Sequence, residues 1–205
     1  VILVDVQNDF MPFGALPVAE GDRVVPVCNA LARAFELVVA TQDWHPPDHA
    51  SFASKHEGAF PGDVIDLDGI EQVLWPDHCV QNMPGASFHS GLDVARLSHV
   101  TRKGTDPRID SYSGFFDNNH LKATDLEGYL REREVDHVII AGLALDYCVL
   151  YTALDARGLG FMVTLATDGT RAVDREPGDG QSALDTMREA GCVLRASHEI
   201  VGGRV

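Results

Sequence analysis

His137-Val-Ile-Ile-Ala-Gly142, continued by Leu-Ala-Leu-Asp-Tyr-Cys148, is the stretch whose reading decides the fold. A short apolar run rich in β-branched residues reads as a strand buried on both faces, the habit of a parallel sheet. Asp146 to Arg157 reads as a helix ended by Gly158, and Gly160-Phe-Met-Val-Thr-Leu-Ala166 supplies the next strand. Residues 137–166 therefore form a β-α-β unit with a sharp elbow between its first strand and its helix.

The same alternation extends in both directions. Val1-Ile-Leu-Val4 and Leu37-Val-Val-Ala-Thr41 are strand patterns flanking a helix from about Arg23 to Glu36, with Asp22 as its expected N-cap and Val24, Val27, Cys28, Leu31 and Phe35 on one face. His99-Val-Thr-Arg-Lys103 is a strand. Thr124 to Arg133 is a helix, with Thr124 and Glu127 at capping-box spacing. Asp179 to Ala190 is a helix ended by Gly191, before a short strand at Cys192-Val-Leu-Arg195. The prediction is a three-layer α/β/α architecture with a mostly parallel sheet, a single domain over residues 1–205. Residues from about 42 to 89 break the alternation; rich in Pro, Gly, His and Asp, they are predicted to be an irregular insertion that builds the site.

Composition narrows the function. With 31 acidic and 16 basic residues the formal charge is −15, which excludes the basic face that nucleic acids and anionic membranes require. No stretch approaches the length of about 18 apolar residues that a membrane span needs. Four widely spaced cysteines, Cys28, Cys79, Cys148 and Cys192, read as intracellular thiols, so a cytoplasmic location is expected. The absence of an initiator methionine predicts that a few residues precede Val1.

In a parallel sheet the reactive groups should follow the strands, because ligands bind beyond the strands' carboxyl ends. Asp5, Asp43, Lys103 and Cys148 all occupy such positions. A cysteine among apolar residues is ordinarily a packed core thiol, but the elbow places Cys148 near a helix N-terminus, where the dipole favours a thiolate and backbone amides can hold an oxyanion. Lys103 is either a solvated surface cation or the partner of that thiolate. Asp5 is either a turn residue or the general acid/base that moves the thiol proton. Asp43 and His45, two apart, together with His78, make a His₂-carboxylate set that leaves coordination positions open. His49 is a possible fourth ligand, and the other histidines show no ligand spacing.

Val4-Asp-Val-Gln-Asn-Asp-Phe10, Gln42-Asp-Trp-His-Pro46, Trp75-Pro-Asp-His-Cys-Val80, Lys103-Gly104, Tyr112-Ser-Gly-Phe115 and Gly142-Leu-Ala-Leu-Asp-Tyr-Cys148 occur in this order. Together they resemble the nicotinamidase/pyrazinamidase group of the isochorismatase-like cysteine hydrolases, over residues 1 to about 170. The resemblance implies an amidohydrolase that converts nicotinamide, and pyrazinamide with it, to the acid and ammonia through a cysteine thioester, in NAD salvage. It implies Asp5, Lys103 and Cys148 as the catalytic triad, with Asp9 a loop-structuring residue. It implies one divalent ion on Asp43, His45 and His78, zinc first, with iron and manganese as alternatives. Phe10, Trp75 and Tyr112 would surround the pyridine ring. A cis peptide would fall at Leu143–Ala144, with the amides of Ala144 and Cys148 forming the oxyanion hole. Family members vary in assembly, so a homo-oligomer is compatible. Leu145 departs from the Thr of many relatives, which puts a local hydrogen bond in doubt. Two rivals remain: a relative acting on a carbamoyl or ureido amide, which would lack the metal set, and a non-catalytic metal-binding protein, which would tolerate loss of a triad member.

Overall fold

The computed structural model describes residues 1–67 and 69–203. Six strands form one sheet: β1 (Ile2–Val4), β2 (Val39–Asp43), β5 (His99–Lys103), β6 (His137–Leu143), β7 (Met162–Arg171) and β8 (Val193–Arg195), in the order β5-β2-β1-β6-β7-β8. Every neighbouring pair is parallel. β3 (Val64–Leu67) and β4 (Ile70–Val73) make a separate antiparallel hairpin. The helices are α1 (Val24–Ala34), α2 (Leu126–Arg131), α3 (Leu150–Gly158), α4 (Asp179–Glu189) and α5 (Ser197–Gly202).

Period-two alternation assigns each strand residue to a face. Leu3, Ala40, Ile139 and Ala141 point into the core shared with α1 and α5. Ile2, Val4, Val39, Val138 and Ile140 point into the core packed by α2, α3 and α4. These are the three predicted layers.

The differences are local. α1 begins at Val24 after a 3₁₀ turn over Gly21–Arg23, and Asp22 makes no side-chain cap to it. The Thr124–Glu127 capping box does not form. The Thr124 hydroxyl donates to the Gly114 carbonyl (2.6 Å) and accepts from the Leu126 amide (3.2 Å), while Glu127 pairs with Arg131 (3.5 Å). The Thr124 amide, which the box would give to Glu127, donates instead to the Phe115 carbonyl (2.8 Å). The insertion is less irregular than expected, since it contains the β3–β4 hairpin. β7 runs to Arg171, well past the predicted end at Ala166, and the β6–β7 register shifts between Ile140 and Gly142. α5 lies in a tail that carried no sequence signal.

Gly142 pairs with Val4 at the carboxyl end of β6 with φ +124°, and a Cβ there would fall on the Val4 backbone. Only glycine lets β6 approach β1 this closely where the chain leaves for the elbow. Gly142→Ala is expected to cost about 2–4 kcal/mol through strain at a left-handed position and displacement of β1. Urea unfolding of the two proteins checks this, and an unchanged midpoint would contradict it.

Candidate active site

Four adjacent strands each deliver one group. Lys103 ends β5, Asp43 ends β2, Asp5 follows β1, and Cys148 follows β6 through the elbow. Asp5 adopts φ +46° as the chain turns out of β1. The elbow is a single wide turn over Leu145–Val149 that leads into α3, preceded by a cis peptide at Leu143–Ala144, the position the resemblance implied. Leu145 is buried in the α3–α4 core, so a hydrophobic contact stands where a hydroxyl was expected.

Lys103 is fully buried, which requires an explanation for an ammonium. Its Nζ lies 2.9 Å from Asp5 Oδ2, 2.9 Å from Asp43 Oδ1 and 2.9 Å from the Ser111 carbonyl, and donates to Cys148 Sγ at 3.3 Å. Burial alone would lower its pKa, but the carboxylates of Asp43 and Asp5 outweigh it and hold the lysine charged, well above its ordinary value. Asp5 is oriented by Thr41, whose hydroxyl donates to Oδ1 (2.6 Å). Burial raises the Asp5 pKa, and the Lys103 charge only partly opposes that. Its Oδ2 is paired with the Lys103 ammonium.

Cys148 differs from the sequence-based expectation. Burial pushes its thiol well up, and although Lys103 works in the other direction, the carboxylates of Asp5 and Asp43 reinforce the rise. Burial therefore favours the protonated thiol, which lies within reach of the Asp5 carboxylate.

Asp43 joins this group to a second one. Its Oδ1 holds Lys103, while its Oδ2 lies 3.0 Å from His45 Nε2 and 3.5 Å from His78 Nε2. The remaining ring nitrogens face carbonyl oxygens: His45 Nδ1 meets Gly104 O (2.9 Å) and His78 Nδ1 meets Pro76 O (2.8 Å). A nitrogen facing a carbonyl carries its proton there, so each Nε2, on giving up its own proton, offers a lone pair beside the carboxylate. Two lone pairs and a carboxylate oxygen converging in a buried space suit one divalent cation. The three donor atoms lie within 4.8 Å of one another. Gly104 is held against His45, and at φ +62° a Cβ would collide with the imidazole. Gln7 stitches Asp43 in place, donating to its carbonyl (2.8 Å) and accepting from its amide (2.8 Å).

His49 is also buried. Its Nδ1 bonds Ser51 Oγ (2.7 Å), and its Nε2 has no partner. Burial lowers its pKa to about 4, with the His45 charge adding to this. It groups with His45 and Asp110 but not with Asp43 and His78. The Asp9 carboxylate accepts from the Cys79 amide (2.7 Å), the loop-structuring part expected of it.

A cavity opens onto both groups through Cys148, Asp43 and His78. Phe10, Trp75 and Tyr112 line it as expected, along with Cys148, Asp43, His78 and Ala144. Leu16, Asp110, Tyr147 and Val173 also line it, and the sequence reading missed them. Tyr147 directly precedes Cys148, a clue that was present. Trp75 Nε1 donates to Tyr112 Oη (3.1 Å) and packs edge-on against Tyr147 (4.9 Å, 87°). Gln72, on β4, donates to Tyr112 Oη (3.3 Å) and Asp110 Oδ2 (3.2 Å), so the hairpin braces this wall.

The fold and this constellation define a hydrolase built on a three-layer α/β sheet architecture. The isochorismatase domain family matches residues 1–199, and the chain belongs to that family. The nicotinamidase of Escherichia coli (strain K12) is 48% identical over 198 residues, 95% of this chain and 92% of that protein. A solved structure of the Acinetobacter baumanii nicotinamidase/pyrazinamidase superposes with TM-score 0.94 at 44% identity, covering 97% of this chain and 96% of that one. The pyrazinamidase of Pyrococcus horikoshii, solved in complex with zinc, gives TM-score 0.79 at 40% identity, covering 95% and 97%. No helix among the described residues is long and apolar enough to cross a membrane.

Lys103→Ala would leave two carboxylates buried around an uncompensated gap. It is expected to destabilise the protein by about 3–5 kcal/mol, the scale for removing one partner of a buried ion pair. Denaturant unfolding reads this directly, and a loss below about 1 kcal/mol would mean the carboxylates are not charged in the folded state.

Proposed function

We propose that this chain hydrolyses nicotinamide to nicotinate and ammonia, returning the acid to NAD salvage, with pyrazinamide as a further substrate. The observation that carries this reading is the convergence of Asp5 and Lys103 behind Cys148, which lines one cavity together with Asp43 and His78 of the metal-ligand group.

The ring enters between Phe10 and Trp75, beside Tyr112. Asp5, with its raised pKa, takes the thiol proton as Cys148 attacks the amide carbon. Lys103 balances the negative charge that forms on sulfur, and the amides of Ala144 and Cys148 hold the oxyanion. Asp5 then gives its proton to the departing nitrogen, so that ammonia leaves and a thioester remains. Water, deprotonated by Asp5, adds to the thioester and expels the thiol, releasing nicotinate and regenerating Cys148. Asp43, His45 and His78 would hold a divalent ion, for which we choose zinc over iron and manganese; when bound, it supplies a Lewis-acidic partner for the pyridine nitrogen that fixes the ring's orientation.

The metal group favours this substrate over a carbamoyl or ureido amide, which offers no aromatic nitrogen to such a site. The complete triad positions weigh against a purely non-catalytic role.

Ammonia release from nicotinamide by the purified protein tests the reading. Cys148→Ala should lower turnover by more than about a thousandfold, because the nucleophile has no substitute. Residual activity of a few percent would refute the thioester route. Chelation should lower turnover, and zinc, manganese or iron should restore it. His78→Ala should retain less metal by elemental analysis; full retention would remove His78 from the ligand set.

A further inference from the structure

Arg175 takes no part in the hydrolysis described above. It lies in the loop after β7 with its side chain exposed, yet its Nη2 donates to the Gly62 carbonyl at 2.7 Å, across 113 residues of sequence. The same guanidinium lies beside the Tyr147 hydroxyl and attracts it electrostatically. The Gly62 amide in turn donates to the Leu74 carbonyl (2.8 Å), one residue before Trp75. Val173, two residues before Arg175, lines the cavity, and its amide and that of Asp174 are anchored by the Asp146 carboxylate at 2.9 and 2.8 Å. Three segments therefore each contribute one cavity residue: the hairpin base gives Trp75, the elbow Tyr147, and the loop after β7 Val173. They meet at one guanidinium.

We propose that Arg175 is a latch that holds this wall closed over the ring, and so sets which aromatic amides the site accepts. This rests on the nicotinamide reading. Its effect is positional. Arg175 acts through Tyr147 and the hairpin base, not on the reacting atoms. A planar guanidinium can satisfy acceptors lying in different directions at once, whereas an ammonium is a compact point charge on a flexible stem. Without the latch, Trp75 and Tyr147 keep their edge-on contact, but nothing at this corner ties the hairpin to the loop that carries Val173.

Arg175→Ala and Arg175→Lys test it by steady-state kinetics on nicotinamide and ring-substituted nicotinamides. A second readout is the rate of Cys148 modification, followed by peptide mass spectrometry, with iodoacetamide and with a bulky aryl maleimide. Arg175→Ala is expected to raise KM for nicotinamide about tenfold while kcat changes less than about threefold. It should also weaken the discrimination against ring-substituted nicotinamides and accelerate the maleimide more than iodoacetamide. Arg175→Lys should fall between Arg175→Ala and wild type. Unchanged KM together with an unchanged maleimide-to-iodoacetamide ratio would overturn the proposal. So would equal losses in kcat and kcat/KM with a lowered Tm, the mark of a merely structural residue. If the wild-type protein releases no ammonia from nicotinamide, the substrate reading fails, and the latch is then decided by the labelling ratio alone.

Discussion

A lysine ammonium sealed from water is the constraint to which the rest of this site answers. Desolvating such a charge costs several kcal/mol even after relaxation, and only close, well-oriented counter-charges repay it. Asp5 and Asp43 provide them at 2.9 Å each. Because Asp43 also faces two imidazoles, the two halves of the site share one carboxylate. Burial would push Asp43 up, but His45 and Lys103 outweigh it and hold the carboxyl well below its ordinary value. The position of the thiol's cation and that of the imidazole pair are thereby set by the same side chain, and Gln7 ties the backbone of Asp43 to the segment that follows β1.

The balance of charges also explains the resting state of the nucleophile. One cation serves two carboxylates and a thiol, so burial and the carboxylates push the thiol up. In the proposed mechanism Cys148 is then a latent nucleophile, and the same burial raises the basicity of Asp5, which suits it to take the thiol proton.

The sheet was legible because its strands are short apolar runs, and each of the six overlaps a predicted run, although β7 extends five residues beyond its predicted end and β2 lies two residues further along the chain. Site residues at strand ends were legible for a related reason: the topology compels them to converge. Recognising which of them act together needed the ordered motifs as well, since Lys103 alone reads as a surface cation. What was hidden has a common physical character. The β3–β4 hairpin alternates weakly, with mostly exposed or half-exposed residues, so no hydrophobic period marks it. Thr124 carried a true local signal that a tertiary hydrogen bond overrode. Gln7, Gln72, Tyr147 and Asp146 act through contacts with residues far away in the chain, and sequence proximity records none of these. The neutral state of the Cys148 thiol follows from summed burial and charge, which only coordinates reveal.

The placement of one group on each of four neighbouring strands has a consequence for synthesis. Asp5 emerges from the ribosome early, Asp43 and Lys103 later, and Cys148 only after β6, which must slot in beside β1. Until then the growing chain holds its acids and its lysine with no nucleophile between them, and no fragment that stops short of the elbow contains a working centre. Long-range parallel pairing of this kind is slow to form. Chemistry therefore switches on with the completion of the sheet's middle and not with the appearance of any single segment.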